Sequence, residues 1–198
     1  MNSSTNLSYK RLATMAVLTA LSVVLFMVFR TPLFAAVPFL VYEAADVGLM
    51  VAGFALGPSA GLLVTAVVCA LQAPLHPEGG WFGAVMHFIS SGALVAVSSL
   101  VYSRKRTRRG AYIALAAGAA AMVGVMIPAN LILTPRFYNL PISAVTSVLG
   151  WIVAFNVLKA GINAVITAVI YKPISRFIKE EVSETRETEY RQVQGHRG

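Results

Sequence analysis

The sequence predicts an all-α, polytopic membrane protein of six transmembrane helices, and three observations carry that prediction. Charged residues make up only 12% of the chain, against roughly 25% in soluble domains. Hydrophobic residues make up 57% of it, and mean hydropathy is +0.72. Several apolar runs reach the roughly 20 residues that a helix needs to cross a bilayer. The formal net charge of +8 would fit a nucleic-acid surface if it were spread evenly. Here the positive residues gather at the ends of apolar runs, which is a topology signal, so no nucleic-acid partner is expected. Cys69 is the one cysteine, which excludes an intrachain disulfide and a cysteine-cluster metal site.

Taken in order, residues 1–9 are polar and form a disordered or interfacial segment, ahead of a membrane domain over 10–179. The first span covers about Lys10 to Phe29. Its apolar part is longer than a secretory signal core, so it reads as an uncleaved span. Ala13, Ala16 and Ala20 form a stripe of small side chains along it, fit either for helix packing or for a partner interface. Arg30 to Val41 is apolar but broken by Pro32 and Pro38, and is expected to fold back over the protein as a cap. The second span runs from about Tyr42 to Leu56 and opens with Glu43 and Asp46 as i, i+3 neighbours. The Gly57-Pro58-Ser59-Ala60-Gly61 turn leads into a third span ending near Leu75. His76 and Glu78 lie in a polar loop but lack a third metal ligand, so no metal site is expected. The fourth span covers Trp81 to about Tyr102, with His87 one turn inside its start. After the basic Ser103–Arg109 loop, the fifth covers about Ala111 to Leu133. Thr134 to Leu140 is expected as a loop, and a sixth span ends near Tyr171. Residues 180–198, rich in Glu and Arg, read as a charged, solvated tail.

An even number of spans puts both termini on one side. Lys10, Arg11, the Arg104–Arg109 cluster, Lys172, Arg176 and Lys179 share that side, while Arg30 and Arg136 fall opposite. The positive-inside rule makes the basic side cytoplasmic, with contact to anionic membrane lipid a minor role of the cluster. Trp81 and Trp151 then start the fourth and sixth spans at the outer interface.

The sixth span carries Asn156, Lys159 and Asn163 at i, i+3 and i+7, on one helical face. A lysine at mid-helix costs roughly 2.5–3.5 kcal/mol on insertion scales. With the span entering near Leu149, Lys159 lies roughly 15 Å along it. Asn130, Glu43, Asp46 and His87 also fall near outer helix ends, which predicts a pocket in the outer half of the membrane beneath the cap. Amides and one ammonium suit a neutral, planar, acceptor-rich heterocycle between apolar walls. They do not form a nucleophile–base pair or a phosphate loop, so no catalytic residue is named. The same pattern fits Lys159 paired with Glu43 or Asp46 inside the bundle, the asparagines bonding between helices. It also fits a stand-alone proton-coupled transporter or a non-transport scaffold.

From about Ala20 to Tyr171 the chain resembles the riboflavin-type substrate-binding (S) components of energy-coupling factor (ECF) vitamin transporters. The resemblance rests on Pro38-Phe-Leu-Val-Tyr-Glu-Ala-Ala-Asp46, Ala52-Gly-Phe-Ala-Leu-Gly-Pro-Ser-Ala-Gly61, Gly83-Ala-Val-Met-His-Phe88, the Asn130 to Pro135 region and Phe155-Asn-Val-Leu-Lys159. It implies the six-helix S-component fold, a gating loop and riboflavin as transported ligand in a prokaryotic cytoplasmic membrane. Asn130, Asn156 and Lys159 match ring-binding positions; Phe39, Leu40 and Tyr42 match the lid and pocket wall. Ala16 and Ala20 match the motif that docks on the coupling subunit EcfT, which works with two ECF ATPase subunits, and whole-subunit toppling delivers the ligand. Val41, Glu43, Ala45 and His87 depart from the usual lysine, aspartate, glycine or serine, and asparagine, which bears on the ribityl end and on selectivity among flavins. Glu43, Asp46 and His87 remain candidate ligand residues. Asn163 has no match and reads as a helix-packing residue. The nearest competing reading is an S component for thiamine or biotin.

Overall fold

A computed structural model describes the chain over residues 3–75 and 79–195. Six helices follow in order: α1 (Ser3–Val28), α2 (Ala45–Leu56), α3 (Pro58–Gln72), α4 (Gly80–Arg104), α5 (Arg108–Tyr138) and α6 (Ile142–Gly195). Two short strands, β1 (Arg30–Pro32) and β2 (Val41–Glu43), pair antiparallel between α1 and α2. Helix α1 begins at Ser3, so the described part of the polar N-terminal segment is helical. Once an apolar span has nucleated a helix, adding residues to its end is easy. Helix α6 likewise runs on past its apolar part, through the charged segment, to Gly195. The last three tail residues, and the His76–Glu78 loop, lie outside the described residues.

Five helical stretches are long and apolar enough to cross a bilayer: Tyr9–Val28, Pro58–Leu75, Gly80–Arg104, Arg108–Tyr138 and Ile142–Ile170. Their outward faces stay apolar, as Val17, Leu63, Ile113 and Val165 illustrate, each more than half exposed. In water such faces would drive association; against lipid they are the matching surface. The expected second span is different. Helix α2 has only 12 residues, roughly 18 Å of rise. Residues Ala45 to Phe54 are all buried, and α2 packs against α1, α3, α4 and α6. It is a central helix enclosed by the others. Tyr42 and Glu43, expected on this helix, stand on β2 instead, so Glu43 and Asp46 do not share a helical face.

Small residues permit this central packing. A Cβ on Gly61 of α3 would lie 2.7 Å from the Gly53 Cα of α2, so only glycine lets the two backbones approach so closely. Gly57, at φ 96°, turns the chain between them, and Pro58 opens α3 where its missing N–H is no loss.

The expected Thr134–Leu140 loop is mostly helix. Helix α5 continues through Pro128 and Pro135 to Tyr138, because a proline removes one N–H but membrane helices tolerate the gap. Asn139, left-handed at φ 52°, ends it, and Leu140 N–H donates to the Pro135 carbonyl at 3.0 Å. This is the usual way for a helix to close on an αL residue. Helix α6 starts at Ile142, ahead of the Leu149 entry that sets the sequence-based depth, which puts Lys159 roughly 25 Å along it at 1.5 Å per residue.

Candidate functional site

The expected cap is present as a hairpin. Arg30 pairs with Glu43, Thr31 with Tyr42 and Pro32 with Val41, and residues 33–40 form its tip. Phe34 of the tip packs on Trp151 of α6 with ring centroids 5.2 Å apart. Phe155 of α6 closes the apolar cluster beneath, with Tyr42, Leu33 and Leu40.

Under this hairpin lies a cavity of about 520 Å³, within the range of small-molecule sites. Its walls come from the hairpin, α4, α5 and α6. Most are apolar or aromatic, with Phe39, Leu40, Phe82, Met86, Met126, Tyr138, Val148 and Phe155 prominent. Phe82 stacks on Phe137 at 4.2 Å between centroids and meets Tyr138 edge-on at 5.4 Å, making a rigid aromatic rim.

The polar groups facing this space are few. Asn156 donates one amide hydrogen to the Ile152 carbonyl at 2.8 Å, which leaves a second hydrogen and the amide oxygen for a ligand. Asn130 donates to the Met126 carbonyl at 2.8 Å and accepts from Thr134 Oγ1 at 3.2 Å, again keeping a donor. Lys159 and His87 complete the set, with Glu43 and Ser90 beside them.

Behind the cavity two of these side chains, Lys159 and His87, meet Asp46, in the first turn of α2 and fully buried. Lys159 Nζ lies 3.5 Å from Asp46 Oδ2, and Asn163 Nδ2 donates to the same oxygen at 2.9 Å. His87 Nε2 lies 3.0 Å from Oδ1, which also accepts from Ser91 Oγ. His87 Nδ1 is 2.8 Å from Gln72 Oε1 and 3.5 Å from Glu43 Oε2. Tyr42 OH donates to Asn163 Oδ1 at 2.8 Å. The start of α2 favours a negative charge by its helix dipole. A buried carboxylate with this many donors offsets the burial of Lys159.

The model for the substrate-specific component of ECF transporters matches residues 10–171. The chain belongs to this family. Among proteins similar to this S component, the riboflavin transporter RibU of Staphylococcus aureus (strain TCH60) is 27% identical over 178 residues, 86% of this chain and 93% of that protein. The riboflavin transporter FmnP of Bacillus subtilis (strain 168) is 26% identical over 184 residues, 88% of this chain and 96% of that protein. The solved structure of the S component of a bacterial ECF transporter superposes with a TM-score of 0.74 at 24% identity, covering 87% of this chain and 99% of that one. That last likeness is one of fold.

Of the ligand residues the sequence proposes for this S component, Phe39, Leu40, Glu43, His87, Asn130, Asn156 and Lys159 line the cavity. Tyr42 and Asp46 do not. Both sit behind its wall, joined through Asn163, which is a hub of hydrogen bonds rather than simple helix packing. The pairing of Lys159 with Asp46, which the pattern left open against ligand binding, coexists with a cavity-lining position for Lys159. The polar set also lies farther along its helices than the sequence places it. Lys159 sits past the middle of the Ile142–Ile170 span, and Asn130 is two turns, not one, from the end of α5. Sequence reasoning missed Phe82, Met86, Thr134 and Tyr138. Apolar and aromatic residues at helical spacing carry no mark that separates a pocket wall from a core. Ala16 and Ala20 are exposed on α1, so their stripe does not pack inside the bundle. Among the described residues, no group of three or more His, Cys, Asp or Glu side chains is placed to hold a metal.

Proposed function

We infer that this protein is the riboflavin-binding S component of an ECF importer, capturing the vitamin outside the cell and delivering it inward. The observation that carries the inference is the capped cavity: apolar and aromatic walls, with the Asn130 and Asn156 amides and the Lys159 ammonium as its facing donors. A flavin ring is a flat acceptor-rich heterocycle, so donors at its edges and aromatic or aliphatic groups on its faces are the complementary set. The riboflavin transporters among its relatives support the same ligand. The residue roles follow from that fit. Asn130, Asn156 and Lys159 hold the ring, while Phe39 and Leu40 close over it from the hairpin. His87 and Glu43 border the remaining polar space.

The sequence contains no G-x-x-x-x-G-K-[ST] phosphate loop, so the work of import falls to separate subunits. Two ECF ATPases acting through a coupling subunit, EcfT, fit this division, with the exposed Ala16 and Ala20 stripe as the docking face on α1. Small side chains let a partner helix approach closely. Alone, the S component binds but does not pump.

Purification in detergent tests the ligand directly. A yellow preparation with flavin absorbance, or quenching of added riboflavin fluorescence, is the expected result. A colourless protein that leaves riboflavin fluorescence unchanged removes the reading. Thiamine or biotin displacing no bound flavin distinguishes it from an S component for another vitamin.

A further inference from the structure

Asp46 does not line the cavity, yet two side chains that do, Lys159 and His87, sit against it. Its two oxygens face four donor groups from two helices: His87 and Ser91 on α4, Lys159 and Asn163 on α6. Three hydrogen bonds and one ion pair engage most of a carboxylate that has about four lone-pair sites. The Lys159 contact differs from the others. At 3.5 Å it is longer than the roughly 2.7–2.9 Å of a charge-assisted hydrogen bond. The ammonium is therefore held mainly by charge, and its N–H groups stay available to the cavity that Lys159 lines.

The same carboxylate also fixes the cap. Asn163 donates to Asp46 Oδ2 and accepts from Tyr42 OH, and Tyr42 sits on β2 between Val41 and Glu43, both of which face the cavity. One buried anion thus sets the depth of the binding cation and anchors the strand that closes over it.

We propose that Asp46 is a positioning residue for the ligand site, acting through Lys159 and, by way of Asn163, through Tyr42 of the capping hairpin. This rests on the riboflavin reading of the cavity. The test is a double-mutant cycle on the full chain in detergent, read as riboflavin affinity by fluorescence quenching. Asp46→Asn is expected to weaken riboflavin binding by roughly tenfold or more, the size of effect that coupled buried neighbours show. Made on top of Lys159→Met, the same substitution is expected to cost clearly less than it does in the wild type, because one of the two groups it acts through is gone while the Asn163–Tyr42 link remains. An Asp46 that merely held the bundle together would weaken binding equally in both backgrounds, and that result overturns the proposal.

Tyr42→Phe provides a second arm that leaves every charge in place and does not depend on Asp46→Asn folding. Loss of the one hydroxyl bond is expected to speed riboflavin release by roughly three- to tenfold, as for a typical buried hydrogen bond. An unchanged release rate overturns the link to the cap. If the wild-type protein binds no riboflavin, the ligand reading fails and takes the proposal with it. Binding with additive mutational effects overturns the proposal alone.

Discussion

Lys159 illustrates how one residue is made tolerable and useful together. An ammonium this far inside an apolar helix is stable only with a counter-charge, and Asp46 supplies it at 3.5 Å. With three further donors on Asp46, removing the lysine leaves the carboxylate satisfied in part. Lys159→Ala is therefore expected to destabilise the apo protein by about 3 kcal/mol, the low end for a broken buried pair, while riboflavin binding falls by at least about 1–3 kcal/mol. Asn156→Ala separates the two effects. Its intramolecular bond goes only to the carbonyl of its own preceding turn, so binding should weaken by about 1–3 kcal/mol with little change in the unfolding temperature. Thermal unfolding beside riboflavin titration checks both. Equal losses in stability and binding for Asn156→Ala would make it a packing residue. The residues of this set were legible because polar side chains stand out in apolar helices. Their division into cavity-facing (Asn130, Asn156, Lys159) and supporting (Asp46, Asn163, Tyr42) members was not, because it depends on which way each helix turns against its neighbours.

Among the elements, α1 and the hairpin carry the clearest consequences. Ala16 and Ala20 lie exposed, away from the cavity, so bulk added there meets no side chain of the bundle. Ala16→Trp is expected to leave riboflavin binding intact and to abolish uptake in cells that supply the coupling and ATPase subunits. Loss of binding as well would mean that the stripe supports the fold. Helix periods and apolar lengths marked where most of the spans lie. The departures have separate physical causes. Proline read as a stop at Pro135, although the chain loses one hydrogen bond there and ends its helix only at the left-handed Asn139. The hairpin strands have three residues each, too short for an alternating pattern to register, so the cap was foreseen as a loop without its pairing. Helix α2 is wholly apolar after Asp46, like the longer spans, but has only 12 residues. A central helix needs the same composition at half the length.

For the whole molecule, orientation is the property that composition constrains most and packing least. The basic residues cluster at one end of the bundle. Arg11 of α1 donates to the Leu56 carbonyl at the end of α2, at 3.1 Å, and the Arg104–Arg109 turn joins α4 to α5 at that same end. The hairpin, the start of α6 and the cavity rim of Phe82 and Tyr138 occupy the other end, with Arg30 and Arg136 its described basic residues. The positive-inside rule predicts a cytoplasmic basic end and a hairpin that opens outward, the orientation that capture of an external vitamin requires. Single cysteines test this with little background, because the native Cys69 is buried. Ser143 and Ser103 are both exposed, at the start of α6 and the end of α4, and serine to cysteine changes little volume at either site. In intact cells, a membrane-impermeant maleimide is expected to label Ser143→Cys and to miss Ser103→Cys until the membrane is permeabilised. Labelling in the opposite order would place the cavity mouth in the cytoplasm, and a protein so oriented could not take up riboflavin from outside by the route its hairpin and cavity provide.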